Sequence, residues 1–125
     1  MTQEKLEQLK ATATEVRRGI LTEVHAAKSG HPGGSLSIAD IMSYLYFYKM
    51  KIDPKNPQWE DRDRFVLSKG HTAPALYAAL ALKGYFPWDE LKSLRHTGAL
   101  LQGHPDMKHI PGVDMSSGSL GQGIS

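Results

Sequence analysis

Histidine is the residue type in this sequence best able to do chemistry near neutral pH. Six histidines are present, and three of them lie beside glycine or proline: His31, His71 and His104. His31 and His104 each stand between a glycine and a proline, whereas His71 follows Gly70 directly. Because an imidazole titrates near neutrality, it can exchange protons with hydroxyl groups or donate hydrogen bonds to phosphate oxygens. A single histidine of this kind is more often structural, but three of them favour a functional site.

Three other kinds of site find little support. No pair of histidines has the His-x-x-x-His spacing with an intervening glutamate, and the lack of cysteine excludes a thiolate metal site. His104, Asp106 and His109 are close in sequence, but a loop broken by proline is a poor frame for chelation. Residues 118–121 (GSLG) lack the spacing of a nucleophile elbow, and the Gly-x-Gly-x-x-Gly dinucleotide fingerprint is missing. We therefore predict no metal ligands in this chain.

A short strand is the first element that would position these histidines. Residues 64–68 (RFVLS) centre on an uninterrupted apolar run, which predicts a strand buried on both faces, as in a parallel sheet. His71 would then stand where a strand ends and a helix begins. Ligands bind at that edge in open α/β sheets. We expect the fold to bring all three histidines there.

Helical periodicity covers most of the N-terminal half. Residues 3–28 carry one apolar stripe at steps of three and four, and Gly30 should supply the left-handed cap that ends this helix. Ser37 and Asp40 resemble a capping box, which predicts a second helix that ends near Asp53. The apolar residues expected on its buried face are Ile38, Ile41, Met42, Leu45 and Tyr46.

The C-terminal half combines a small-residue helix with a long loop. Residues 72–83 are rich in alanine, which permits close approach of another element, and Gly84 should end that helix. A short helix is expected from Pro87 to about His96. Residues 97–117 show little regular structure, and so long a loop is usually functional or poorly ordered. The fold class predicted for the 125 residues is α/β, a partial parallel sheet with flanking helices, in which the chain itself is mostly helical.

Composition limits the classes of partner. The chain has 125 residues, 40% of them hydrophobic and 22% charged, which suits one domain with its own core. A net charge of +2, with basic residues interleaved among acids, argues against a nucleic-acid surface. No apolar run approaches the roughly 20 residues of a membrane span, and the polar N-terminus does not resemble a secretory signal. The sequence therefore predicts a cytoplasmic protein without nucleic-acid or membrane partners.

Four ordered motifs resemble the transketolase family, in its N-terminal, thiamine-diphosphate-binding domain. They are residues 29–34 (SGHPGG), 61–71 (DRDRFVLSKGH), 103–105 (GHP) and 117–124 (SGSLGQGI). The resemblance extends from about Glu15 to the end, and we assign residues 1–125 to the N-terminal part of such a domain. Ser119, where the common pattern has proline, is similar to transketolases that are split into separate N- and C-terminal subunits.

The resemblance implies a role for each matching residue. His71 would contact the diphosphate of thiamine diphosphate, and Gly118, Ser119 and Leu120 would line its ring system. His31 and His104 would bind sugar hydroxyls and assist proton transfer at the donor ketose. The family transfers a two-carbon ketol unit between sugar phosphates, which implies a place in the pentose phosphate pathway.

The resemblance also implies partners. The ligands of the cofactor's Mg²⁺ or Ca²⁺, and the glutamate that activates its aminopyrimidine, match no position here, so they would come from a C-terminal section or subunit. The chain stops in a glycine-rich turn that normally introduces a helix, and we expect a truncated product or a fragment completed elsewhere. We predict that the isolated chain is inactive and that homo-oligomers form. The alternative is a non-catalytic fragment that acts only as an interaction module.

Overall fold

A computed structural model describes residues 1–120 as a mostly helical fold, which confirms that part of the prediction. No helix in this range is both long and apolar enough to cross a membrane. In chain order the elements are α1 (Gln3–Ala27), α2 (Pro32–Leu36), α3 (Ala39–Tyr44), a π-helical turn (Leu45–Lys49), a 3-10 turn (Gly70–Thr72), α4 (Ala73–Lys83) and a second 3-10 turn (Trp88–Ser93).

The centre of the fold is α4, which is surrounded by other elements. Every residue from Ala73 to Ala81 is buried. Because five of these nine side chains are alanine methyl groups, neighbouring elements can approach the helix closely. One close approach is made by Gly19 of α1, where an added Cβ would lie 2.8 Å from the Cβ of Ala78. The close packing predicted from the alanines is therefore confirmed.

The first helix forms as its apolar stripe predicts, but it ends differently. Thr2 caps the N-terminus, since its hydroxyl accepts a hydrogen bond from the backbone N–H of Lys5 at 3.1 Å. The C-cap is Lys28, in the left-handed conformation with φ 54°, so the prediction that Gly30 supplies this cap is wrong. Gly30 also has a positive φ, of 141°, and turns the chain toward α2.

The single second helix predicted after Ser37 is divided into α3 and the π-helical turn, and a short helix that was not predicted, α2, precedes Ser37. No side chain caps α3, whose N-cap is Ile38, and the Ser37 hydroxyl donates to the Gly34 carbonyl oxygen at 2.9 Å. Ile41, expected on the buried face, is 54% exposed. The prediction failed because Ser37 is the C-cap of α2, with a helical φ of -63° and ψ of -19° rather than the extended backbone of an N-cap, so the capping box does not form.

The strand predicted at residues 64–68 is absent, and residues 1–120 contain no other strand. The backbone N–H of Phe65 donates to the Asp114 carboxylate at 2.8 Å rather than to a neighbouring strand. Leu67 is buried but Val66 is 41% exposed, so the segment is not covered on both faces. A strand exists only through backbone bonds to a second strand, and helices and loops are all that this part of the chain supplies.

The long loop of residues 97–117 lacks regular structure, as predicted, but it is packed into the core. Leu101, Ile110 and Val113 are all buried in the cluster that surrounds α4. The Tyr77 hydroxyl of α4 donates to the Gln102 carbonyl oxygen at 2.7 Å. These anchors hold the loop well enough to position a side chain such as His104.

Candidate functional site

His31 and His71 are in direct contact. Their ring centroids lie 4.8 Å apart, with the planes at 81° in an edge-to-face arrangement. His31 is the residue that precedes α2, and His71 lies in the 3-10 turn that leads into α4. Two segments that are 40 positions apart in the sequence therefore place their imidazoles together.

Polar contacts hold the segment that carries His31 and the segment that carries His71 against each other. The Lys69 ammonium donates to the Gly34 carbonyl oxygen at 2.7 Å and to the Ser37 hydroxyl at 3.2 Å. The buried Ser35 hydroxyl donates to the Thr72 carbonyl oxygen at 3.4 Å. A Cβ at Gly34 would lie 2.7 Å from the Thr72 methyl group, so only glycine fits there without a shift.

His104 approaches the same place from the long loop. Its Nδ1 lies 3.1 Å from the Ser117 hydroxyl oxygen, and either group can be the donor, depending on the imidazole tautomer. The Ser117 backbone N–H also donates to the Pro105 carbonyl oxygen at 3.2 Å. An added Cβ at Gly70 would lie 1.8 Å from the Ser117 oxygen and 2.9 Å from His104 Nδ1. The His104–Ser117 pair thus rests against the residue that precedes His71.

The three histidines named from the sequence therefore converge, although at the junction of two turns and a loop rather than at a sheet edge. Gly118, Ser119 and Leu120 follow Ser117 directly and are exposed. A Cβ at Gly118 would meet nothing within 4 Å in this part of the chain. The predicted glycine-rich turn at residues 121–125 lies outside the described residues.

Sequence reasoning missed three residues that shape the site: Lys69, Asp114 and Ser117. Lys69 lies within the motif that carries His71, but its acceptors are more than 30 positions away and no local pattern identifies them. Ser117 follows another serine, and the sequence does not indicate which of the two meets His104. Asp114 contacts Arg62 and Phe65, so its role is also visible only in three dimensions.

Acidic groups flank the loop that bears His104. Asp106 accepts a hydrogen bond from the His109 ring at 2.6 Å, and this contact is the main reason that the pKa of Asp106 lies below its ordinary value. Deeper inside, burial raises the pKa of Tyr77, and the negative charges of Glu23 and Asp106 raise it further. The Tyr77 phenol therefore stays protonated and able to donate to Gln102.

The residues present fit a diphosphate better than a metal ion. No group of three or more histidine, aspartate or glutamate side chains among residues 1–120 could hold a metal ion. By contrast, His71 Nδ1 is buried without a hydrogen-bond partner in the same range, so the imidazole still has hydrogen-bonding capacity. A neutral or protonated imidazole can donate to a phosphate oxygen. The imidazole of His71 therefore has a ring nitrogen that no residue among 1–120 uses as a hydrogen-bond partner.

Comparison with known families adds independent information. Residues 9–125 match the family described as transketolase, thiamine diphosphate binding domain. A 6-deoxy-6-sulfo-D-fructose transketolase subunit of Clostridium sp. (strain MSTE9) is 55% identical over 117 residues, which cover 94% of this chain and 42% of that protein. The transketolase of Rhodobacter capsulatus is 48% identical over 115 residues, which cover 90% of this chain and 17% of that protein.

The backbone of this chain also superposes on solved transketolase structures. The transketolase of Leishmania mexicana superposes with a TM-score of 0.87 at 39% identity, over 92% of this chain and 17% of that one. The transketolase of Campylobacter jejuni gives a TM-score of 0.83 at 40% identity, over 92% of this chain and 18% of that one. The chain thus spans about a sixth of the length of each of these structures.

Proposed function

The chain belongs to the transketolase, thiamine diphosphate binding domain family, and on that premise we propose that it supplies the diphosphate-binding and proton-transferring part of an enzyme that moves a two-carbon ketol unit between sugar phosphates. The observation that carries the proposal is the convergence of His31 with His71 and of His104 with Gly70. The domain assignment of residues 1–125 is part of the same proposal.

His71 is proposed to bind the cofactor's diphosphate. Its ring is partly covered by His31, and its Nδ1 has no partner among residues 1–120. Gly118, Ser119 and Leu120 are proposed to line the cofactor's rings, a role supported by their position directly after Ser117. Bound thiamine diphosphate supplies the electron sink that carbon–carbon cleavage requires, whereas the protein orients the reactants and manages protons.

His31 and His104 are proposed to bind the hydroxyl groups of the donor ketose and to exchange protons with them. Both side chains are exposed at the edge of the site, so a sugar can reach them. The bond between His104 Nδ1 and Ser117 leaves the other ring nitrogen of His104 for substrate. A general acid or base in such a position typically contributes about 10²- to 10⁴-fold in rate.

Turnover is proposed to need polypeptide beyond these residues. The chain spans 17% of the Rhodobacter capsulatus transketolase and 42% of the Clostridium subunit, and residues 1–120 offer no group of metal ligands. A C-terminal section or subunit would supply the ligands of the Mg²⁺ or Ca²⁺ and the remaining catalytic groups. The cytoplasmic location, the homo-oligomer and the place in the pentose phosphate pathway stay predictions.

The Clostridium relative raises a second candidate for the donor sugar. That protein is a 6-deoxy-6-sulfo-D-fructose transketolase subunit by name, and it is 55% identical to this chain. A sulfonate and a phosphate are both tetrahedral anions, so a sulfo-sugar is a reasonable second donor. Rates with fructose 6-phosphate and with 6-deoxy-6-sulfofructose, measured side by side, distinguish the two.

The test is reconstitution of the 125-residue chain with a C-terminal transketolase section, thiamine diphosphate and Mg²⁺. We expect turnover of xylulose 5-phosphate with ribose 5-phosphate by the mixture and none by the isolated chain. His31→Gln and His104→Gln should lower kcat by about 10²-fold or more, and His71→Gln should weaken cofactor binding in calorimetric titration.

His25→Gln is the matched control, since His25 is an exposed histidine near the end of α1. Wild-type activity in that variant, together with losses in the other three, supports the proposal. If no C-terminal transketolase section restores cofactor binding, although circular dichroism shows that the fold is intact, the alternative of a non-catalytic interaction module is favoured. Steady turnover by the isolated chain would refute the need for further polypeptide.

A further inference from the structure

One buried carboxylate joins the two segments that carry the site. Asp114 accepts a hydrogen bond from Arg62 Nε at 3.1 Å with one oxygen and from the Phe65 backbone N–H at 2.8 Å with the other. The side chains of Arg62 and Asp114 are only 12% and 8% exposed. We name this contact between Arg62, Phe65 and Asp114 the Asp114 latch.

The latch lies just ahead of the site on both segments. Phe65 precedes the turn that holds His71, and Asp114 precedes Ser117, whose hydroxyl meets both His104 and the space beside Gly70. Neither segment has regular secondary structure at these positions. Because no helix or ladder fixes how the two segments lie against each other, individual side-chain contacts must do so.

Because the latch is buried, removing one of its partners should cost more than breaking the exposed ion pairs in this part of the chain. The Arg17–Asp40 pair is 2.7 Å long, but its side chains are 38% and 76% exposed, and exposed pairs contribute little. A buried pair that loses one partner leaves an uncompensated charge in a poorly solvated place, so its geometry is strongly enforced. Asp114 also faces Tyr46 and Tyr85, whose pKa values are raised by burial first and by its negative charge second.

We propose that Asp114 is a positioning residue: the latch sets the register of His104 and Ser117 against Gly70, and so places the turn at residues 118–120 relative to His71. The effect on catalysis rests on the proposed function, whereas the effect on geometry does not. Asp114 acts through His104 and Ser117 and does not itself touch substrate in this scheme.

The first readout is the geometry of the full 125-residue chain in solution. Asp114→Asn keeps the size of the side chain but removes its charge and one of its two acceptor oxygens. We expect it to shift the ring ¹⁵N resonances of His104, assigned with the help of His104→Gln, and the backbone amide resonance of Ser117. Arg62→Lys keeps the positive charge but moves it off the Nε position, so it should shift the same resonances less.

The matched control is Asp40→Asn, the same change in the exposed ion pair, which should leave the His104 resonances as in the wild type. If Asp114→Asn does not fold, Arg62→Lys carries the test. A lowered melting temperature with unchanged His104 resonances in both latch variants would mean that Asp114 only stabilises the fold, and would overturn the proposal.

The second readout is catalysis in the reconstituted assembly. In Asp114→Asn, displacement of His104 and Ser117 should lower kcat by about tenfold or more while changing KM for the sugar phosphates by less than about threefold. Asp40→Asn should change neither. If kcat for folded Asp114→Asn equals that of the control, the proposal is wrong. If His104 shifts as expected but even the wild type shows no turnover, the positioning stands and the proposed function fails.

Discussion

At the scale of single residues, Gly70 shows how little room the site leaves. A Cβ at this position would lie 1.8 Å from the Ser117 hydroxyl oxygen and 2.5 Å from the Ser117 Cβ. Gly70 is not among the residues with a positive φ, so the demand for glycine is one of space rather than backbone conformation. The hydrogen at Gly70 is thus what allows His104 and Ser117 to lie beside His71.

We predict that Gly70→Ala displaces Ser117 and His104 while the helical core stays folded. Overpacking of this kind costs about 1–3 kcal/mol in free energy of unfolding, which urea denaturation measures. In the reconstituted assembly the affinity for thiamine diphosphate should fall, by calorimetry. Gly33→Ala is the matched control in the same region, because a Cβ there would meet nothing within 4 Å. Equal effects of the two substitutions would contradict this account.

Glu23 is a buried carboxyl group whose protonation state depends on whether the chain is folded. It lies on α1, is fully buried, and neither of its carboxyl oxygens has a hydrogen-bond partner among residues 1–120. Burial raises the pKa of Glu23 well above its ordinary value. A titratable neighbour on α4 is Tyr77, whose own pKa is raised by burial first and by the Glu23 charge second. The folded chain therefore holds Glu23 protonated at pH values where the unfolded chain does not.

This difference sets the direction of a pH effect. The folded state binds a proton that the unfolded state has lost, so the free energy of unfolding falls as pH rises from the ordinary carboxyl value of 4.5 up through the raised pKa. In that window the slope contributed by one group is at most about 1.4 kcal/mol per pH unit. Glu23→Gln removes the titration and should be increasingly more stable than the wild type as pH rises.

Urea denaturation at a series of pH values checks this prediction. Glu7→Gln on the exposed face of α1 is the control and should run parallel to the wild type. Parallel curves for Glu23→Gln and wild type across the whole series would show that Glu23 is charged, or solvated, in the folded chain.

At the scale of elements, local patterns predicted helices well and the strand wrongly. The apolar stripe of α1 and the alanines of α4 are properties of one segment, and both helices formed where those patterns lie. The predicted strand at residues 64–68 depended on a distant partner, and within residues 1–120 Phe65 found the Asp114 carboxylate instead. The same reasoning applies to the site: glycine and proline marked His31, His71 and His104, but the contacts that Lys69 and Ser117 make around them emerge only from the folded chain.

The crossing of α1 and α4 gives a prediction at this scale. Gly19→Ala raises intrinsic helix propensity by about 1 kcal/mol, but the new Cβ would lie 2.8 Å from the Ala78 Cβ and 3.0 Å from the Trp88 ring. We expect the clash to dominate, with a net loss of about 1–3 kcal/mol in free energy of unfolding by urea denaturation. The double variant Gly19→Ala/Ala78→Gly relieves the first contact, so the two substitutions should be coupled by more than about 0.5 kcal/mol. If the effects of the two substitutions on the free energy of unfolding simply add, the contact between residues 19 and 78 is not the source of the strain.

At the scale of the whole molecule, helices and loop share one core. Leu101, Ile110 and Val113 of the loop are buried in the same cluster as the side chains of α4. Tyr77 links that helix to the loop again through the carbonyl of Gln102. A loop that packs in this way should not open independently of the helices, because opening would expose the central face of α4 as well. The site should therefore be as stable as the core that holds it.

A substitution in the loop, followed by the unfolding of the helices, tests whether loop and helices unfold together. Leu101 is fully buried, and Leu101→Ala should lower the free energy of unfolding by about 2–5 kcal/mol. Circular dichroism at the helical band reports mainly on α1 and α4, so a shift of its urea midpoint, with an unchanged slope, shows that loop and helices unfold together. Leu21→Ala on α1 is the matched control, because that leucine is 53% exposed and should cost far less. A helical midpoint that stays at the wild-type value in Leu101→Ala would mean that the loop unfolds on its own, and the three histidines would then lack a common rigid support.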